Sequence, residues 1–476
     1  MSSTTTPVEA APEVAVPGLK HTSTKRQIRG SSALFLGQFF AKGLNFAAQV
    51  LIVRYLSKTD YGAFAYALSI VALGESIATF GLDRAITRFV PIYHERRDYN
   101  KLFGTLVMVI STMLALGAAL ALAFYSFPGL VARTLGGDEL SHVLLLILIF
   151  LAPVQALDGV LVGMFAVFSS TRSIFFRKYV LGPGLKILVV ALLVLGRSNV
   201  YFLASGYLAA GAFGIVIYTA MLWRVLRDQG LFPHFNWRTL NMPWREVFAF
   251  TIPLLTSDIL YAVMHTMDAV VLERYGGTVN VAALRAVQPT SILNSLVMQS
   301  FALLFTPQAA RLFARDDKEG INNLYWQTAI WIAVFSFPIF ALTFSLAQPI
   351  TLFLYGTRYQ ESALILALLS FGHYFNAALG FNGLTLKVYG KLRYSVVINV
   401  LAGVINLAAI LLLIPRYGAL GAALGTCIAL VAHNVLKQAG LRLGTGINLF
   451  EWRYFRVYLI ITLGALGLLL VQWATS

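Results

Sequence analysis

Gln38, Lys42, Asn45 and Gln49 are spaced by 4, 3 and 4 residues. That interval puts four polar side chains on one face of a helix. Asp258, Tyr261, His265 and Asp268 repeat the arrangement at steps of 3, 4 and 3. Arg285, Gln288, Ser291, Ser295 and Gln299 form a third stripe, and Glu75, Thr79 and Asp83 a fourth, continued by Arg84 and Arg88. Lysine and arginine in such a stripe bind oxyanions, and guanidinium matches phosphate oxygens in bidentate fashion. Carboxylates beside a histidine take up a proton or a small cation, and histidine titrates near neutral pH. The candidates for substrate binding are therefore Lys42, Arg84, Arg88, Arg285, Gln38 and Asn45. Those for ion coupling are Asp258, His265, Asp268 and Glu75. The plainer alternative is that the stripes are hydrogen-bonding glue between helices. For Arg84 and Arg88 it is that they are ordinary cytoplasmic-side charges.

All four stripes lie in strongly apolar sequence. The chain has 476 residues, 58% hydrophobic and 12% charged. Soluble domains carry roughly 25% charged residues, so a soluble enzyme, a disordered chain and a fibre are excluded. Apolar stretches at 32–54, 60–82, 102–125, 142–167, 179–196, 200–223, 247–272, 280–306, 323–347, 360–386, 394–415, 418–436 and 455–473 are each read as a membrane-spanning helix. A re-entrant turn is expected within 347–360. An ionisable group at the bilayer centre costs at least ~2.5 kcal/mol, so the stripes must face water or one another.

The net charge of +16 raises the question of nucleic acid. Its distribution answers it. With the N-terminus inside, 26 of the 36 Lys and Arg fall on cytoplasmic segments, 7 on outer loops and 3 inside spans. That is the positive-inside pattern of a multi-pass protein, and no nucleic-acid partner is expected. Residues 1–30 read as a disordered cytoplasmic tail, 31–227 as a six-helix bundle and 228–245 as a cytoplasmic linker. Residues 246–440 read as a second six-helix bundle and 441–476 as an appended helix. The expected fold is all-α: 12–14 transmembrane helices in two bundles around a central cavity.

A shift of 220 residues brings the halves into register. Arg54–Tyr55 falls on Arg274–Tyr275, Gln38 on Asp258, Asn45 on His265 and Glu75 on Ser295. Parallel repeats of this kind are a transporter signature. Charges at matching depths should pair: Lys42 with Glu75, Asp158 with Lys186, Asp268 with Arg285. His373, Asn376, Asn399, Asn406, His433 and Asn434 are read as interhelical hydrogen-bonding groups.

Several chemistries leave no trace. There is no G-x-x-x-x-G-K-[ST] and no H-E-x-x-H. The single cysteine, Cys427, permits neither an intrachain disulfide nor a thiolate cluster. The acidic run at Asp316, Asp317 and Glu319 is short and reads as a solvated loop. No metal, no cofactor and no enzymatic activity are expected.

The stretch from Phe46 to Pro91 resembles the opening of the polysaccharide-biosynthesis flippases. These O-antigen and exopolysaccharide translocases belong to the multidrug/oligosaccharidyl-lipid/polysaccharide exporter superfamily. The resemblance rests on Leu56, Asp60, Tyr61 and Gly62 between the first two spans, on Gly81 to Phe89, and on 252–272. It implies a transporter that flips a lipid-linked (polyprenyl-diphosphate) oligosaccharide across a bacterial inner membrane. Its partners would be that lipid, the membrane lipids, and the glycosyltransferases and polymerase of the same pathway. A cation-coupled multidrug exporter, a lipid II flippase, or a non-transporting enzyme or scaffold of glycan synthesis are the alternatives.

Overall fold

A computed structural model describes residues 19–129, 137–168 and 175–475; for 19–36, 253, 254, 256–261, 264, 265 and 475 it describes the backbone alone. Every regular element among the described residues is helical. The N-terminal half comprises α1 (Leu19–Tyr55), α2 (Lys58–Thr79), α3 (Leu82–Glu95), α4 (Tyr99–Ser126), α5 (Glu139–Leu148) and α6 (Leu151–Phe168). It continues through a π-helical turn at Phe176–Leu181 into α7 (Gly182–Leu195) and α8 (Val200–Asp228). The C-terminal half comprises α9 (Trp244–Ile292), α10 (Leu296–Ala314), α11 (Lys318–Phe340) and α12 (Ala347–Tyr355). Then come α13 (Ser362–Ala378), α14 (Asn382–Val388), α15 (Leu392–Thr445) and α16 (Phe455–Thr475).

Nine described helical stretches are long and apolar enough to cross a membrane. One of them, α15, is broken at Gly418 and supplies two passes. Helix α9 is likewise broken at Gly277, whose φ of 69° only glycine adopts readily. With α1 and the two parts of α9, the described helices coincide with the thirteen expected spans.

Three boundaries differ from the sequence reading. Helix α1 starts at Leu19, so 19–30 continue a helix rather than a tail; Lys, Arg and Gln are good helix formers there. Residues 83–95, read as loop, are helix α3. Its buried residues Leu82, Ala85, Ile86, Phe89, Val90 and Tyr93 recur with helical period. The turn expected in 347–360 is helix α12, ended by Gly356 at φ 83°. Residues 1–18 of the proposed tail lie outside the described part.

The internal repeat is visible in local geometry. Ser57, which caps α2, corresponds to Gly277 at the break of α9. Arg97 and Asp316 both adopt the left-handed conformation, at φ 56° and 53°. Each precedes an aspartate cap: Asp98 accepts from the Lys101 N–H and Asp317 from the Gly320 N–H.

The apolar packing shows how the lobes meet. At one end, here called the seal, a single buried cluster draws on both. Ile52, Val53, Tyr61 and Phe64 share it with Leu272, Leu284, Tyr355, Tyr359 and Leu366. Toward the opposite end, the mouth, the core divides. Leu82, Ile86, Met108 and Phe165 form one part, Ile321, Tyr325, Trp326, Phe381 and Leu441 another. The lobes are thus joined at the seal and separate at the mouth. There the first turns of α9 cross over: Val247 enters the N-terminal core and Glu246 accepts from Tyr93 Oη at 2.8 Å. Helix α16 is anchored rather than merely appended: Ile461 and Ala465 are buried against Phe340 and Tyr374, and Ser345 Oγ donates to the Ala465 carbonyl at 2.8 Å.

Candidate functional site

Helix α3 buries one face in the N-terminal lobe, and this aims its other face away from the core. Arg84 and Arg88, one turn apart, are both exposed on it. Arg88 lies 4.3 Å from the ring centre of Phe250 at the start of α9. Both candidates are therefore exposed at the mouth end of the N-terminal lobe, Arg88 beside the start of α9.

Deeper in, Lys42 of α1 donates through Nζ to Gln299 Oε1 of α10. This hydrogen bond joins the first and third sequence stripes across the interlobe gap. Gln38 is half-buried one turn before Lys42, and Asn45 is exposed one turn after it. Asn45 donates to the Ala41 carbonyl at 2.8 Å, and Gln49 donates to Tyr61 Oη at the edge of the seal. The stripe on α1 thus runs from the gap into the seal. Lys42 does not pair with Glu75 as its depth suggested; the partner is the amide on the opposite lobe.

Arg285 pairs with Asp268: Nη2 lies 2.8 Å from Oδ1, and Nη1 donates to Gln288 Oε1 at 2.7 Å. Both side chains are largely buried, so the guanidinium is already committed within the C-terminal lobe. Glu75 is half-buried and within electrostatic reach of Asp158, Asp83 and Lys186. The side chains of Asp258, Tyr261 and His265 lie outside the described part. The expected Asp158–Lys186 pair is replaced. Asp158 accepts from Arg177, and Lys186 Nζ lies 5.9 Å from the Tyr207 ring centre.

Arg177 is the residue that sequence reasoning misplaced. Counting it as a cytoplasmic loop charge overlooked the π-helical turn that carries it inward. It is 3% exposed, beside Asp158 and 4.4 Å from the Tyr218 ring centre. Of the later polar residues, His433 hydrogen-bonds with Asn399 at 2.9 Å and Asn434 with Asn376 and Asn382, whereas Asn406 Oδ1 is buried without a partner among the described residues.

The seal has its own polar clasp, also unread in the sequence. Arg54 donates to the carbonyls of Phe353 and, at 2.8 Å, Leu354. Arg358 donates back to the carbonyls of Leu56 at 3.1 Å and Arg54. Lys58 and Glu361 pair at 2.6 Å. Away from both seal and mouth, a cavity of about 360 Å³ lies between α11, α13 and α16. It is lined by Phe340, Phe344, Phe371, Tyr374 and Tyr458, and its character is aromatic rather than polar.

Two helical lobes, closed together at one end and parted at the other around polar faces, define a membrane transporter fold. The lipid II flippase MurJ in its inward closed conformation superposes with a TM-score of 0.73 at 16% identity, over 93% of this chain and 92% of that one. The polysaccharide biosynthesis protein family matches residues 28–313, and the MatE family matches residues 253–412. The chain is 23% identical over 418 residues to the capsular polysaccharide biosynthesis protein CapF of Staphylococcus aureus, covering 84% of this chain and 96% of CapF. It is 26% identical over 336 residues to the succinoglycan biosynthesis transport protein ExoT of Rhizobium meliloti, covering 69% and 62%. The chain belongs to the polysaccharide biosynthesis protein family of the multidrug/oligosaccharidyl-lipid/polysaccharide exporter superfamily.

Proposed function

We propose that this protein flips a polyprenyl-diphosphate-linked oligosaccharide across a bacterial inner membrane, with its N-terminus and mouth on the cytoplasmic side. The observation that carries this reading is the bridge from Lys42 to Gln299, with Arg84 and Arg88 exposed between it and the mouth. A headgroup entering from the mouth meets two guanidinium groups first and an ammonium deeper in. That order suits an anionic diphosphate. Gln38, Asn45 and Gln299 supply amide groups for sugar hydroxyls, and the bilayer takes the lipid tail. Separation of the lobes at the seal, with closure at the mouth, would release the glycan outside. Asp258, His265 and Glu75 are the groups through which a proton or cation would bias one state over the other by differential affinity. No bond of the cargo is broken, so the role is transport and not catalysis. The glycosyltransferases that build the cargo and the polymerase that consumes it are the natural neighbours.

The MatE match favours a second reading, a cation-coupled drug exporter. A cationic drug needs an acidic cavity, whereas the polar stripes here mix both signs, setting Arg84, Arg88 and Lys42 beside Glu75, Asp83 and Asp258, which argues against it. The two readings separate by what the protein retains. Purified in native nanodiscs, it should carry polyprenyl-diphosphate glycans detectable by mass spectrometry, and Lys42→Ala with Arg88→Ala should deplete them. Equal retention by the double variant would defeat the proposal.

A further inference from the structure

Glu273 belongs to the C-terminal lobe and sits one residue past the end of the span read at 247–272, at the seal. It is 7% exposed. Its carboxylate accepts from the backbone N–H of Asp138, which belongs to the other lobe. Asp138 in turn caps α5, accepting from the Ser141 N–H at 2.9 Å. Among the described residues Glu273 Oε2 has no hydrogen-bond partner, and neither have two buried atoms in the first turn of α5, Ser141 Oγ and His142 Nε2. His142 Nδ1 stands 2.8 Å from the Asp138 carbonyl. Tyr66 of α2 borders the same spot: a Cβ on Gly137 would lie 3.4 Å from its ring and 3.5 Å from that of His142.

No lysine or arginine pairs with Glu273 among the described residues. Arg274 and Tyr275 on its own helix are exposed, as are Arg416 and Tyr417 at the break of α15. The other described cations of the seal are Arg197, which is exposed, Lys58, which pairs with Glu361, and Arg54 and Arg358, which donate to backbone carbonyls. Closing the seal therefore moves a carboxyl group from one lobe out of water and places it against an aspartate of the other. A carboxylate in that position is opposed by lost hydration and by like charge; a carboxylic acid is opposed by neither.

We propose that Glu273 makes the seal proton-dependent, so that the sealed state holds the proton and its loss to solvent parts the lobes. Burial first, and the Asp138 charge second, push Glu273 up to about 7 in the sealed state. Once the lobes part, an exposed glutamate returns to about 4.3. The group is raised in the sealed state, so its contribution to sealing is full below the lower value and vanishes as pH rises through the upper one. Between pH 6 and pH 8 the sealed-to-open ratio should fall by about tenfold. The inference needs the alternation assumed in the proposed function. Its test reads the seal directly and without cargo, so its failure and the failure of the flippase reading are distinct.

The test uses the full chain in nanodiscs, in a Cys427→Ser background, with spin labels at Arg197→Cys and Gln360→Cys. Both positions are exposed at the seal, one on each lobe. Double electron–electron resonance should give one short distance at pH 5 and a growing long-distance population with a midpoint near 7. Glu273→Gln, which keeps the shape without the charge, should hold the short distance up to pH 9. Asp138→Asn should lower the midpoint, and His142→Ala should leave a pH dependence in place. A distance distribution indifferent to pH, a Glu273→Gln profile equal to the parent, or loss of the transition in His142→Ala alone would each overturn the proposal.

Discussion

Gly62 of α2 lies directly against the backbone of Thr278, just past the break in α9. A Cβ built on Gly62 would stand 2.0 Å from the Thr278 carbonyl oxygen. The two lobes approach this closely at the seal because position 62 has no side chain. Overpacking of this kind costs about 1–3 kcal/mol, which converts to a shift of roughly 5- to 150-fold toward the open seal. Leu56 is 3% exposed in the sealed state. A cysteine there, in a Cys427→Ser background, should therefore react with a small thiol reagent faster by that factor in Gly62→Val. An unchanged rate would show that the contact does not set the seal.

The clasp around that contact is unequal. Lys58–Glu361 joins side chains that are 20% and 60% exposed, and exposed ion pairs contribute about 0–1 kcal/mol. Arg358, itself exposed, instead donates twice to backbone carbonyls of the other lobe, and such hydrogen bonds contribute about 0.5–1.5 kcal/mol each. Arg358→Ala should loosen the seal severalfold by the same labelling assay, and Glu361→Ala hardly at all.

Arg177 and Asp158 differ in exposure, and this makes their removal asymmetric. The arginine side chain is 4% exposed and the aspartate 42%. Asp158→Ala strands a buried cation and should cost about 3–5 kcal/mol. Arg177→Met leaves a carboxylate that still reaches water, and the cost should stay below that. Thermal unfolding in detergent would rank them, with Asp158→Ala melting lower.

Lys42 and Arg285 should part company. Lys42→Ala removes an interlobe hydrogen bond in an open gap, so the protein should keep its melting temperature and lose transport. Arg285→Ala strands Asp268, whose side chain is 7% exposed, and should lower stability by about 3–5 kcal/mol before transport is considered. Arg285→Ala together with Asp268→Ala should recover part of that loss.

Much of this arrangement could be read from the chain. The apolar stretches and their turn residues mark thirteen passes, because a span must satisfy its backbone within a helix. The 220-residue register brings out the repeat, and the stripe on α1 indicates which face meets the gap. Other features depended on packing. Helix α3 hid within charged sequence because Asp83, Arg84, Arg88 and Glu95 outweigh its apolar period in a hydropathy sum. Arg177 was lost to a π-helical turn, which shifts register by one residue without a composition signal. Partner choice also escaped: Asp158 and Lys186 match in depth, yet Arg177 reaches the carboxylate. Depth is legible in one dimension, whereas pairing needs the azimuth of each helix. Glu273 carries no signal in the sequence, because the surface that buries it belongs to the other lobe.

The central claim is that the interlobe gap moves a diphosphate-linked glycan from one leaflet to the other. The most direct measurement is flipping itself. Proteoliposomes carrying a fluorescent polyprenyl-diphosphate oligosaccharide are treated with an impermeant glycosidase that trims only outer-leaflet cargo. The account predicts that the wild-type protein exposes the inner-leaflet pool over time, that Lys42→Ala with Arg88→Ala abolishes this, and that both proteins reconstitute equally. An inner pool that stays protected from the glycosidase with the wild-type protein present would contradict it.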